Sequence, residues 1–186
     1  MFAAAGWEVI DLATAGVVDR PEEDNLESGD TFEANALAKA GHFHGLTAMP
    51  TIADDSGIEV VALDGAPGVY SKRWSGRTDL SGQALDDANN ALLLARLRGA
   101  QDRRARYVCA AAFCDATNAL VERGETSGRI TDAPRGRGGF GYDPYFLSEE
   151  LGRTFGEVTM PEKAAVSHRA RAFTKLLRRL LARASV

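Results

Sequence analysis

The segment Ile52-Ala53-Asp54-Asp55-Ser56-Gly57-Ile58 sets two carboxylates side by side behind a short apolar run. Adjacent like charges are unfavourable unless a cation or several donors offset them. Hard oxygen ligands with open positions suit Mg²⁺ or Mn²⁺. Successive residues of a strand point to opposite faces, so one carboxylate can ligate metal while the other braces the sharp turn that Ser56-Gly57 predicts. An Asx turn without metal would use the same residues, and the segment by itself leaves both readings open. Glu27, in the acidic run 21–30, offers a second carboxylate ligand, although a merely solvated glutamate would look the same.

Cations stand elsewhere in the chain. Lys163, His168 and Arg169 fall in Glu162-Lys-Ala-Ala-Val-Ser-His-Arg, and Lys72-Arg73 follow Gly68-Val-Tyr-Ser. At a helix start such groups join the backbone N–H donors that favour anions. A third segment, Gly136-x-Gly138-x-x-Gly141, has the spacing of a dinucleotide fingerprint. That fingerprint needs a helix opening on its last glycine, and Pro144 with the aromatic run Tyr142-Asp-Pro-Tyr-Phe prevents one. The glycines would instead let backbone approach a flat ligand, with Phe140 available for stacking and Asp143 for accepting hydrogen bonds, although a turn simply packed by Phe140 and Tyr142 would use the same residues.

These residues must be positioned by ordinary elements. Trp7-Glu-Val-Ile-Asp-Leu reads as a short strand, followed by an acidic loop. Phe32, Ala36, Leu37, Ala40 and Phe43 share one face of a helix capped by Thr31 and closed by Gly45, with Lys39 leaving on another side. Thr51 to Leu63 reads as strand, carboxylate-bearing turn and second strand. Leu85, Ala88, Leu92 and Leu97 recur at helical spacing between Ser81 and Gly99. Residues 104–116 and 119–130, separated by Thr117-Asn118, read as antiparallel strands. A last helix runs from Pro161 nearly to the C-terminus, burying Val166, Phe173, Leu176, Leu177 and Leu180, with Arg178, Arg179 and Arg183 complementing its dipole.

Composition narrows the class. With 186 residues, 45% hydrophobic and 26% charged, the chain has the balance of one soluble domain. The net charge of -4 is unevenly spread: residues 1–60 hold twelve acids and two bases, residues 161–186 one acid and seven bases. An acidic part facing a basic one suits a metal-bound polyanion between them, and two solvated surfaces would give the same asymmetry. Cys109 and Cys114, five apart in a strand, would point to opposite faces and stay reduced and buried. No stretch has the length of a membrane helix and no basic leader precedes the apolar start, so a cytoplasmic protein is expected. The basic tail lacks the interleaved aromatics of a nucleic-acid surface.

Six ordered motifs, DTFEANALAKA, IADDSGIEV, GAPGVYSKRW, SGRI, GGFGYDPYF and EKAAVSHRARA, resemble the inosine triphosphate pyrophosphatase family over about residues 20 to 175. The resemblance implies an α/β fold with two lobes around a long curved mixed β-sheet with flanking helices, a nucleotide cleft between the lobes, and a homodimer. It also implies Mg²⁺-dependent hydrolysis of dITP, ITP and XTP to the monophosphate and pyrophosphate. Carried over by position, Asp55 is similar to the family's metal-binding aspartate and general base, and Glu27 to its second metal-binding acid. Ser56, Lys39, Lys72 and Lys163 fall at substrate contacts. Phe140, Gly141, Tyr142 and Asp143 fall on the segment that holds the nucleotide and its base, and His168 and Arg169 at the pair contacting the base. These two are the candidate donors to a keto oxygen.

One departure weighs on activity. The family pattern opens with a strand and a Ser/Thr-x-Asn-x-x-Lys phosphate motif that these 186 residues, expected to form a single domain over 1–186, do not contain. The expectations are therefore a weakened or inactive form, an active longer one, and, as the alternative function, silent nucleotide binding. Ala34, where the family often has Glu, is a smaller and local departure.

Overall fold

The computed structural model describes residues 2–18 and 26–184. The expected acidic loop falls partly outside these residues, at 21–25. Helix α1 (Phe32–Thr47) starts where Thr31 predicts, its side chain accepting from the Ala34 N–H. It runs past Gly45 and ends on Ala48 in the left-handed region, because an interior glycine weakens a helix without ending it. Strand β1 (Thr51–Val60) is continuous, correcting the expected turn at Ser56-Gly57. Its register with β2 is unbroken from Thr51↔Cys114 to Val60↔Ala105, so ladder pairing overrides the local turn signal. Gly57 is required there by proximity rather than by a turn: a Cβ would lie 2.5 Å from the Gly68 carbonyl oxygen and from Ser71 Oγ. Of the second strand expected after the turn, residues 58–60 simply continue β1 and Val61–Leu63 form a 3-10 turn.

Helix α2 (Gly82–Arg96) follows a 3-10 segment at Gly68–Arg73, then β2 (Arg104–Cys114), β3 (Ala119–Ile130) and β4 (Phe146–Ser148). The face α2 buries is set by Leu93, with Asn89 and Asn90, and by Leu97 at its C-cap, rather than by Leu92. The sheet order is β1-β2-β3-β4 and every pairing is antiparallel among the described residues, so the mixed sheet implied by the resemblance is not seen there. Residues 7–11 form no strand, since nothing in the described chain pairs with them and Val9 and Ile10 are exposed. The expected C-terminal helix is two, α3 (Met160–Val166) and α4 (His168–Ala184), broken at extended Ser167. Ser167 Oγ accepts from the Ala170 N–H, starting α4 afresh as an N-cap does.

Strand alternation divides the core into two layers. On one face Val108, Ala110 and Ala112 pack beneath Phe32, Ala36 and Ala40 of α1. On the other, Cys109, Ala111 and Phe113 pack beneath Ala172, Leu176 and Leu180 of α4. The small residues of β2 let both helices sit close to the sheet. Ile58, Val60 and Tyr107 extend the α4 side towards Leu93 of α2, Leu97 just after it, Phe146 and Phe155. Cys109 and Cys114 are free thiols whose side chains join opposite layers; Cys109 is buried and Cys114 half-buried.

Candidate active site

Alternation along β1 also separates the two carboxylates. Asp55 points to the α1 layer and is 8% exposed, its Oδ2 accepting from Asn35 Nδ2 at 2.8 Å and its Oδ1 from the Ser56 N–H at 3.0 Å. Asn35 is in turn fixed by the Gly29 N–H on its Oδ1. Lys39, one turn further along α1, sets Nζ 2.7 Å from Glu27 Oε1 and 3.7 Å from Asp55 Oδ1. Arg73 adds a contact to the Glu27 carbonyl. Burial raises the pKa of Asp55, opposed by the Asn35 bond and Lys39 and reinforced by the charge of Glu27. Burial also pushes Glu27 upward, but the bond and charge of Lys39, with Lys72 and Arg73, hold it below the usual carboxylate range.

Asp54 points to the α4 layer. Its Oδ2 accepts from Ser56 Oγ at 2.8 Å and from Arg169 Nε at 3.0 Å, so the second carboxylate holds the arginine at the start of α4. Cys109 Sγ lies 3.6 Å from the same oxygen, and burial followed by this charge pushes its thiol up to about 12. Deeper in this layer Asp143 is held by three donors: Lys163 Nζ at 2.5 Å, the Tyr107 hydroxyl at 3.1 Å and the Phe140 N–H at 3.0 Å. The buried charge is thus paired and satisfied. His168 stacks on Tyr107 with centroids 4.7 Å apart and planes 8° from parallel. Burial, then Arg169 and Lys163, drive its pKa down to about 3, so the imidazole is neutral at ordinary pH. Lys163 also lies 4.8 Å from the ring of Phe140, which is 63% exposed.

Twelve residues singled out from the sequence, Glu27, Lys39, Asp55, Ser56, Lys72, Phe140, Gly141, Tyr142, Asp143, Lys163, His168 and Arg169, line one cleft of about 350 Å³, whereas Arg73, also read as a cation for phosphate, is not in its lining and contacts Glu27 instead. The cleft lies at the β1 edge of the sheet, where both layers meet. Tyr107, Ser71, Asp86 and Asn89 line it as well and were not singled out; two consecutive asparagines inside an apolar helical pattern were the available signal. The glycine loop opens no helix, since Gly141 to Tyr145 form turns, which disposes of the dinucleotide reading. Lys163 stands on α3, with His168 and Arg169 on α4, so the Ser167 break allows all three to face one cavity.

No group of three or more His, Cys, Asp and Glu side chains among the described residues is gathered to hold a metal. The pair Glu27 and Asp55 nonetheless fits a hard divalent cation. Both carboxylates converge on Lys39, the charge of Glu27 raises the cost of ionising Asp55, and Mg²⁺ ordinarily takes one or two carboxylates with water and substrate phosphate completing the shell.

Known proteins resemble this chain over most of its length. The Ham1 family pattern matches residues 1–179. A dITP/XTP pyrophosphatase of Ralstonia nicotianae is 47% identical over 174 residues, covering 92% of this chain and 85% of that protein. One of Mycolicibacterium paratuberculosis is 50% identical over 160 residues, covering 84% and 76%. The Staphylococcus aureus Ham1 protein superposes with a TM-score of 0.83 at 35% identity, covering 96% of this chain and 89% of that one. A nucleoside-triphosphatase, dITP/XTP pyrophosphatase, of Mycobacterium abscessus gives 0.75 at 40% identity, covering 96% and 90%. Its motifs, its fold and its relatives together make this chain a member of the Ham1 family.

Proposed function

We propose that the chain hydrolyses dITP, ITP and XTP to the nucleoside monophosphate and pyrophosphate, removing deaminated purines from the nucleotide pool. The observation that carries this is the single cleft joining a carboxylate–lysine cluster at one end to an exposed aromatic ring and a neutral histidine beside an arginine at the other. Lys39 and Lys72 supply cations for a polyphosphate. Glu27 and Asp55 would hold Mg²⁺, with Mn²⁺ as the other candidate, and the bound ion supplies charge neutralisation and Lewis acidity at phosphorus. Asp55, kept basic by burial, accepts the proton as water attacks the innermost phosphorus. The new P–O bond replaces the bridging one and pyrophosphate departs. No covalent intermediate is needed, and Cys109, with its thiol pushed to about 12, is not nucleophilic.

Phe140 offers a stacking surface for the base, and its cation neighbour Lys163 is fixed by Asp143. Neutral His168 and Arg169, the latter held by Asp54, are the donors assigned to the keto oxygen of hypoxanthine or xanthine. An adenine amine in that place would leave buried donors unpaired, costing about 1–3 kcal/mol for each. A cytoplasmic homodimer acting on free nucleotides, not on nucleic acid, completes the reading. No helix among the described residues is long and apolar enough to cross a membrane. The test is pyrophosphate release from dITP, XTP and dATP in Mg²⁺. Release from the keto purines well above dATP is expected. Saturable binding without product would instead identify a silent nucleotide-binding module and overturn the hydrolase.

A further inference from the structure

Helix α2 turns a polar side to the cleft. Asp86, Asn89 and Asn90 stand three and four residues apart and so share one face. They hold two different pieces of cleft wall. Gly141 donates its N–H to Asp86 Oδ2 at 2.8 Å and accepts on its C=O from Asn90 Nδ2 at 2.9 Å. Both polar groups of that residue are therefore fixed by α2, at a left-handed φ of 58° that glycine adopts readily. Asn89 grips the other wall: its Oδ1 accepts from the Ser75 N–H at 2.7 Å and its Nδ2 donates to the Lys72 C=O at 2.9 Å.

Asn89 and Asn90 are 3% and 5% exposed, and Asn90 Oδ1 has no partner among the described residues. Burying a half-satisfied amide opposes folding. A helix face serving packing alone would carry leucine there, as Leu93 does one turn on. We infer that α2 is the positioning element that sets the width of the cleft: Asp86 and Asn90 hold the base-side loop at Gly141, and Asn89 holds the phosphate-side segment carrying Lys72. None of the three touches reacting atoms. The inference rests on the nucleotide reading above, because only a ligand with a base at one end and phosphates at the other makes the two grips separable.

The separation is the test. Asn90→Ala and Asp86→Ala raise the KM for dITP about tenfold, the scale of one lost hydrogen bond, leave kcat within about twofold, and lower the preference for dITP over dATP. Asn89→Ala raises KM for both nucleotides, lowers kcat, and leaves the preference unchanged. Asp86→Asn keeps an oxygen acceptor for the Gly141 N–H and rescues most of the Asp86→Ala loss; thermal midpoints of all variants separate these effects from unfolding. Calorimetry reads the same split without turnover: Asn90→Ala weakens dIMP and spares tripolyphosphate, and Asn89→Ala does the reverse. Equal effects of the two asparagine variants on both ligands, or an Asp86→Asn variant as impaired as Asp86→Ala, would overturn the inference. A wild type that binds both ligands but releases no pyrophosphate from dITP overturns the hydrolase reading instead, and the calorimetric split still decides whether α2 holds two walls.

Discussion

Gly124 gives the sharpest prediction, because a single methyl group there couples packing to the site. Its Cα lies in β3 beneath the first turn of α4, and a Cβ would stand 2.2 Å from the His168 carbonyl oxygen and 2.4 Å from the Ala172 backbone nitrogen. Both are helix backbone, so no rotamer change relieves the contact. Restoring the 3.4 Å of ordinary contact requires the start of α4 to withdraw by about 1.2 Å. That turn carries His168 and Arg169. Overpacking of this kind costs about 1–3 kcal/mol, or a fall in Tm of roughly 2–12 °C for a chain of this size. A misplacement of about 1 Å can cost on the order of 100-fold in catalysis, so Gly124→Ala should lose far more activity than stability. Gly45→Ala is the matched control. Gly45 lies within α1 with nothing within 4 Å of its would-be Cβ, so the same change should stabilise by about 0.5–1 kcal/mol. Differential scanning fluorimetry and dITP kinetics on both variants suffice. A Gly124→Ala protein with unchanged Tm and kcat/KM within twofold of wild type would refute the claim that close helix–strand approach sets the base end of the cleft.

Three other perturbations probe separate parts of the site. His168 has its folded pKa depressed to about 3 from an ordinary 6.5; stability present above pH 6.5 is therefore lost as pH falls through that window, at up to about 1.4 kcal/mol per unit. His168→Phe, which can keep a ring on Tyr107, should flatten urea-unfolding stability between pH 7 and 5 by about 2 kcal/mol, and parallel pH profiles would count against a buried neutral imidazole. Asp54→Ala frees a partly exposed arginine, so stability should change by less than about 1 kcal/mol, while the KM for dITP rises several-fold; an unchanged KM would remove Arg169 from base recognition. Chelation should abolish pyrophosphate release, Mg²⁺ or Mn²⁺ should restore it, and Asp55→Asn should lower kcat on the order of 10²- to 10³-fold. Full turnover in chelator would dismiss the metal pair.

Local signals carried much of this architecture. Thr31 capped α1 because its hydroxyl needs only the Ala34 N–H three residues on, and the β2–β3 pair was legible from two apolar runs around a short turn. Where a residue's partner is distant, local reading failed. Asp54-Asp55-Ser56-Gly57 has the composition of a turn, yet each carboxylate is answered from a different helix, by Arg169 on α4 and by Asn35 and Lys39 on α1. With those partners in place and β2 paired throughout, extended backbone is the lower-energy choice. Residues 7–11 show the reverse case, strand-like composition with no strand beside it among the described residues. Ser167 did carry a readable cap signal inside an otherwise helical pattern, and missing it merged two helices whose junction aims Lys163 and His168 at one cavity.

The same geometry explains why adjacent carboxylates serve this site better than spaced ones. A strand sends neighbours to opposite faces, and β1 is the edge of the sheet among the described strands. Two consecutive residues there address both helical layers at a cleft lined from each. Moving either carboxylate by one position would put both in the same layer and leave either Arg169 without its anion or Lys39 with Glu27 alone. Shifting the acid to position 53, by Ala53→Asp with Asp54→Ala, should therefore fail to recover Arg169-dependent dITP affinity even though net charge is conserved. Recovery in that double variant, measured as wild-type KM, would show that charge count rather than strand parity organises the cleft.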